Sequence, residues 1–109
     1  MASKTSIKTK DKTTIRKFAV LLRKQGIRVS KMILFGSHAK GNAAKDSDID
    51  IAIISRQFGR DAIKEMMLLR RLAMQIDSHI EPIPLSPAGL TDPYSTFSYE
   101  IRTYGIAVN

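Results

Sequence analysis

Apolar positions along this chain change period several times, and each change marks an element. Ile15, Phe18, Ala19 and Leu22 recur at i, i+3, i+4 and i+7, the stripe of a helix that buries one face. The spacing predicts a helix from Asp11, with Asp11 or Thr13 as its cap and Gly26 as its stop. Residues 27–35 are rich in β-branched side chains and end in an unbroken apolar run, which predicts a strand buried on both faces. Gly36-Ser37 breaks it; a short helix over Ser37 to Ala39 and a polar loop from Gly41 to Ser47 follow. Residues 48–54 alternate, with Ile49, Ile51 and Ile53 on one side and Asp48, Asp50, Ala52 and Ile54 on the other. A long helix is predicted over 60–76, its apolar stripe formed by Ile63, Met66, Met67, Ala73 and Met74 and interrupted by Arg70. Residues 79–85 predict a third strand, which Pro82 and Pro84 confine to a sheet edge. Asp92-Pro93 has the form of a cap followed by proline at the first helical position. Tyr94, Phe97, Ile101 and Tyr104 then share one face of a last helix, ended by Gly105. The order predicts an α/β (α+β) domain, a small mixed β-sheet of three or more strands flanked by helices.

Composition narrows the classes. With 109 residues, 43% apolar and 26% charged, the chain has globular composition and length for one small domain. Residues 1–10 are Ser, Thr and Lys with little apolar content and read as a disordered basic tail, leaving 11–109 as the domain. The absence of cysteine excludes disulfides, thiolate zinc sites and thiol catalysis. No apolar run reaches the ~18 residues of a membrane span, and the basic N-terminus carries no apolar h-region, so the expected address is the cytoplasm. The net charge of +8 is unevenly placed, because residues 1–31 hold ten Lys/Arg against Asp11 while the rest is nearly balanced. A solvated tail and helix face account for this, since no aromatic residue interleaves the cations before Phe18; nucleic acid is not the expected partner.

The chemistry concentrates between Leu34 and Ile54. Gly36-Ser37 ends a buried strand and Gly41 follows, a combination that lets backbone N–H groups approach a phosphate. In Asp48-Ile49-Asp50 the two carboxylates share one face of a strand. Paired carboxylates stay ionised beside a compensating cation, and hard oxygen donors favour Mg²⁺ or Mn²⁺. Carboxylates joined to a phosphate-cradling turn are equipment for phosphoryl or nucleotidyl transfer. A third carboxylate is expected on the neighbouring strand, where Glu81 lies mid-strand; Asp77, at a helix end, is its competitor. His38 and His79 read as solvent-facing, and the methionines as core filling.

GSHAKG followed by SDIDI resembles the signature of the DNA polymerase beta-like nucleotidyltransferase superfamily. The short length, the IEPIPL strand and the EIRTYGI ending look like its minimal nucleotidyltransferase branch. The resemblance implies that Gly36, Ser37, Gly41 and Ser47 bind the nucleotide, and that Asp48, Asp50 and Glu81 hold the metals, with Glu81 as base toward the acceptor hydroxyl. It further implies an NTP substrate, ATP above all, and transfer of AMP to a hydroxyl. The branch is commonly paired with an all-helical HEPN toxin, so a hetero-oligomer is expected, with an antitoxin that adenylylates a tyrosine of its partner. The alternatives are a binding module that neutralises a partner by contact, and a small-molecule nucleotidyltransferase, for which no acceptor domain is visible.

Overall fold

The computed structural model describes residues 8–36, 39 and 48–108. Ser37, Gly41 and Ser47, with the predicted short helix, polar loop and most of the tail, lie outside the described residues. Helix α1 runs Thr9–Lys24, so helix begins inside the segment read as tail. Neither predicted cap serves. Lys8 holds the cap position without a side-chain bond, and Asp11 lies buried in the first turn, where its charge complements the helix dipole. The Thr13 hydroxyl donates back to the Thr9 carbonyl, 3.1 Å. The helix ends as predicted, at Gly26 with φ +80°.

Four strands form one mixed sheet in the order β3-β2-β1-β4. Strands β1 (Lys31–Phe35) and β2 (Ile49–Ile54) pair antiparallel, from Lys31 opposite Ile54 to Phe35 opposite Asp50. Strand β3 (Ile80–Leu85) runs parallel to β2, after the crossover that parallel neighbours require, here helix α2 (Ala62–Met74). The third strand is an edge, as Pro82 and Pro84 predict. The Ile49 N–H donates to the His79 carbonyl (2.7 Å) and the Ser55 N–H to that of Leu85 (2.9 Å). Odd-numbered β3 residues therefore turn their backbone to β2, and the even-numbered ones, both prolines included, turn it outward.

Three expectations are corrected. The first strand starts at Lys31, four residues later than predicted, because the sheet's first rung is the Ser30 N–H on the Ile54 carbonyl, 2.7 Å. The α2 stripe is mis-phased: Ile63 is 73% and Met74 65% exposed, while Leu69, Leu72 and Ala73 are buried. Methionines tolerate exposure at little penalty; three branched or small residues at i, i+3 and i+4 make the tighter contact. Asp92-Pro93 does not start the last helix. The Asp92 carboxylate accepts the Tyr94 N–H (2.9 Å) in a local turn, and helix α4 (Thr96–Tyr104) begins after Ser95, whose hydroxyl accepts the Ser98 N–H, 3.0 Å.

Two elements escape the hydrophobic pattern because each is so short. Helix α3 (Pro87–Leu90) is one turn, capped by Ser86 with proline at its start. Strand β4 (Ile106–Val108) adds three residues beside β1. The Ser98 hydroxyl donates to the Gly89 carbonyl (2.7 Å) and Arg102 to that of Leu90 (2.7 Å), so α4 satisfies the carbonyls at the end of α3.

The sheet separates two apolar clusters. Met32, Leu34, Ile49, Ile51, Ile53 and Ile80 meet Ile15, Phe18 and Leu22 of α1 and Leu69, Leu72 and Ala73 of α2. On the opposite face Ile33, Phe35, Ala52 and Ile54 meet Ile101 of α4, with Ile83, Leu85 and Leu90 alongside. This division is the one the alternation over 48–54 predicts. No helix among the described residues is long and apolar enough to cross a membrane.

Candidate functional site

Register places the acids. Asp50 is the pairing partner of Phe35 on one side and of Glu81 on the other. Residues paired across neighbouring strands point to the same face, so Asp50 and Glu81 stand side by side on backbones about 4.8 Å apart. Asp48 lies two residues before Asp50 and so faces the same way, more exposed, at the mouth of the strand. The face is the one covered by α4. Phe97 of that helix meets Phe35 edge to face, ring centroids 5.4 Å apart, which sets an apolar wall beside the half-buried Asp50 carboxylate.

Gly36 fixes the other side. It follows β1 with φ +73°, a conformation that a side chain disfavours by about 1–2 kcal/mol. A β-carbon there would also collide with the Asp50 carboxylate, lying 3.2 Å from its Cγ and in harder contact with Oδ2. Glycine thus serves two purposes at once: it turns the chain, and it lets the Asp50 side chain lie directly against the backbone of the turn. The expectation that Gly36 and Asp50 belong to one constellation agrees with this packing.

Glu81 carries a partner that the sequence reading did not assign. Arg70 of α2 donates to Glu81 Oε1 at 2.9 Å. Since α2 packs on the far face, the guanidinium passes round the open β3 edge to reach it. Arg70 first reads as a flaw in an apolar stripe. A lone arginine inside such a stripe signals an acid partner, but nothing along the chain says which acid it is. Asp77, the competing acid, is committed elsewhere. Its Oδ1 accepts the His79 N–H at 2.8 Å and meets the His79 ring at 2.9 Å, and these bonds hold its carboxyl below the usual range against the opposing effect of burial. It shapes the turn into β3.

The donor set is all oxygen, which fits a hard divalent ion at Asp48 and Asp50. Among the described residues no group of three or more acidic or histidine side chains is gathered closely enough to hold one.

Comparison with known proteins shows the family of the fold. A family model described as a nucleotidyltransferase domain matches residues 15–87, which runs from within α1 to just past β3 and includes Asp48, Asp50, Asp77 and Glu81. A curated relative, a candidate protein adenylyltransferase of Methanocaldococcus jannaschii, is 28% identical over 83 residues, covering 74% of this chain and 80% of its own. A solved toxin–antitoxin structure with AMP-PNP is similar at TM-score 0.61 and 27% identity, over 88% of this chain and 70% of that one. A mutant toxin–antitoxin pair, MntA-HpeT, in which two aspartates two positions apart are replaced by glutamate, is similar at TM-score 0.59 and 27% identity, over 84% of this chain and 69% of that one. A structure from Sulfolobus solfataricus shares the fold at TM-score 0.59 and 17% identity, over 89% of this chain and 74% of that one.

Proposed function

Because this chain belongs to the nucleotidyltransferase domain family, we propose that it transfers AMP from ATP to a hydroxyl of a partner protein, a tyrosine of a HEPN-type helical toxin, and so acts as that toxin's antitoxin. The observation that carries the reading is the Asp50 carboxylate lodged against the backbone of the Gly36 turn. One position then serves both the triphosphate and its counter-ion. The AMP-PNP-bound toxin–antitoxin neighbour and the adenylyltransferase relative support the substrate and the kind of acceptor. The mutant neighbour supports the pair, since two aspartates at the spacing of Asp48 and Asp50 are what was replaced in it.

In this reading Asp48 and Asp50 hold Mg²⁺ or Mn²⁺, which when bound neutralises triphosphate charge and acidifies the acceptor hydroxyl. Gly36 with Ser37, Gly41 and Ser47 holds the phosphates through backbone N–H groups and hydroxyls. Phe35 and Phe97 keep water from one side of Asp50. Arg70 holds Glu81 Oε1 and so leaves Oε2 to accept the hydroxyl proton. The acceptor oxygen forms a bond to the α-phosphorus, the bond from that phosphorus to the bridging oxygen breaks, and pyrophosphate leaves with the electron pair.

The test is incubation of the chain and its copurifying protein with α-labelled ATP and Mg²⁺. Label is expected on a tyrosine of the partner, and to be absent with Asp50→Asn. Label on a small molecule alone would replace the protein acceptor with a small-molecule one, and absence of any transfer would leave neutralisation by contact as the activity.

A further inference from the structure

At the end of the sheet opposite the acids lies an open basin of about 510 Å³ lined by Arg28, Ser30, Ser55, Arg56, Gln57 and Arg60. Ser30 precedes β1 and Ser55 follows β2, so five residues of strand, roughly 16 Å at ~3.3 Å each, separate it from Asp50. Among the described residues, none of its three guanidinium groups has an acidic side chain within ion-pair distance. The Glu65 carboxylate is engaged by the N–H groups of Gly59, Arg60 and Asp61 at 2.9–3.2 Å, and it acts on Arg60 through space.

The backbone under the basin is fixed, and its three arginine side chains are exposed. Gln57 staples its two walls: its amide oxygen accepts the Arg28 N–H, its amide nitrogen donates to the Gly26 carbonyl at 3.3 Å, and its own N–H donates to the buried Ser55 hydroxyl at 3.1 Å. Glu65 fixes the backbone of residues 59–61 from the other side. Three guanidinium groups lining one concavity repel each other until an anion enters, and their planar forks suit tetrahedral oxyanions, which they bind in bidentate fashion.

We infer that the basin formed by Arg28, Arg56 and Arg60 is a second anion site that takes phosphate groups, apart from the carboxylate site. The phosphate comes either from a free phosphorylated ligand or from a polynucleotide backbone, and the two are separated by the probe. The inference stands independently of the transfer reaction.

The test uses the full chain without Mg²⁺, with inorganic pyrophosphate followed by calorimetry and a labelled single-stranded oligoribonucleotide followed by anisotropy. Arg28→Gln, Arg56→Gln and Arg60→Gln are each expected to weaken binding about tenfold, the loss of one charge-assisted contact. Asp50→Asn is expected to keep it, and melting curves show that each variant is folded. Pyrophosphate that binds and displaces the oligonucleotide identifies a free phosphorylated ligand. Oligonucleotide binding alone, with a salt slope that falls by about 0.7 per arginine removed, identifies a polynucleotide. Arginine variants that bind both probes like the unaltered chain, binding abolished by Asp50→Asn, or an unaltered chain that binds neither, would overturn the site.

Discussion

Gly36 and Gly26 share a left-handed backbone but differ in what surrounds them. A β-carbon at Gly26 meets nothing within 4 Å, whereas one at Gly36 strikes the Asp50 carboxylate. The pair therefore separates strain from function. Gly26→Ala is expected to lose about 1–2 kcal/mol of stability and keep transfer activity; Gly36→Ala is expected to lose a similar amount and transfer as well, read by denaturant melts beside a labelled-ATP assay. Equal activities would mean that the Asp50–Gly36 contact is only packing. Under the proposed function Asp48→Asn and Asp50→Asn should each abolish transfer in a chain that still folds, read by the labelled-ATP assay beside a melting curve. At this scale the sequence was informative, because aspartate is rare in a strand without a reason and the alternation fixed which face Asp48 and Asp50 share. It could not show that Arg70 reaches Glu81, since that contact depends on how α2 is placed against β3.

Helix α2 shows what periodicity resolves and what it leaves open. Its existence and length were legible, but its phase was not, because Met66, Met67 and Met74 supply an apolar stripe as regular as the one through Leu69, Leu72 and Ala73. Packing decides between them: Leu69 is fully buried and Ile63 is not. Leu69→Ala should cost about 2–5 kcal/mol and Ile63→Ala almost nothing, a comparison that thermal denaturation resolves directly. The start of the same helix makes a pH prediction. Burial disfavours the Glu65 charge, yet the N–H groups of Gly59, Asp61 and Arg60, with the nearby Arg60 charge, outweigh it and lower its pKa. Its folded pKa is below its unfolded one, so the stabilisation is complete above the ordinary glutamate range and is lost as pH falls through the depressed folded value. Glu65→Gln should therefore destabilise the chain by about 1 kcal/mol at neutral pH and flatten the acid side of its stability profile. A profile unchanged by the substitution would show that other carboxylates carry it. The short elements α3 and β4 were illegible for a different reason, as four and three residues are too few to display a period.

Over the whole molecule the sheet carries acids at one end and arginines at the other, an arrangement hidden in a net charge of +8. The uneven charge was legible along the sequence, but its basic part lay in the tail and α1; only the fold brings Arg28 beside Arg56 and Arg60. Glu81→Gln keeps size and hydrogen bonding to Arg70 and removes the proposed base, so under the proposed function partner binding is expected to survive while transfer falls by about two orders of magnitude or more. Copurification together with a growth assay checks this: toxicity should return although the complex persists, and full protection by the variant would mean that contact suffices. The β3 edge has a consequence of another kind. Its outward positions are Ile80, whose N–H is taken by the Asp77 carbonyl, and Pro82 and Pro84, which have none. That edge offers acceptors and no donors, so no incoming strand can complete a ladder on it. A filament grown by strand addition needs two competent edges on every subunit. Among the described residues there is at most one, the three residues of β4, and two copies joined there would close on each other and stop. The prolines that mark the third strand in the sequence thus also protect the protein from polymerising through its own sheet.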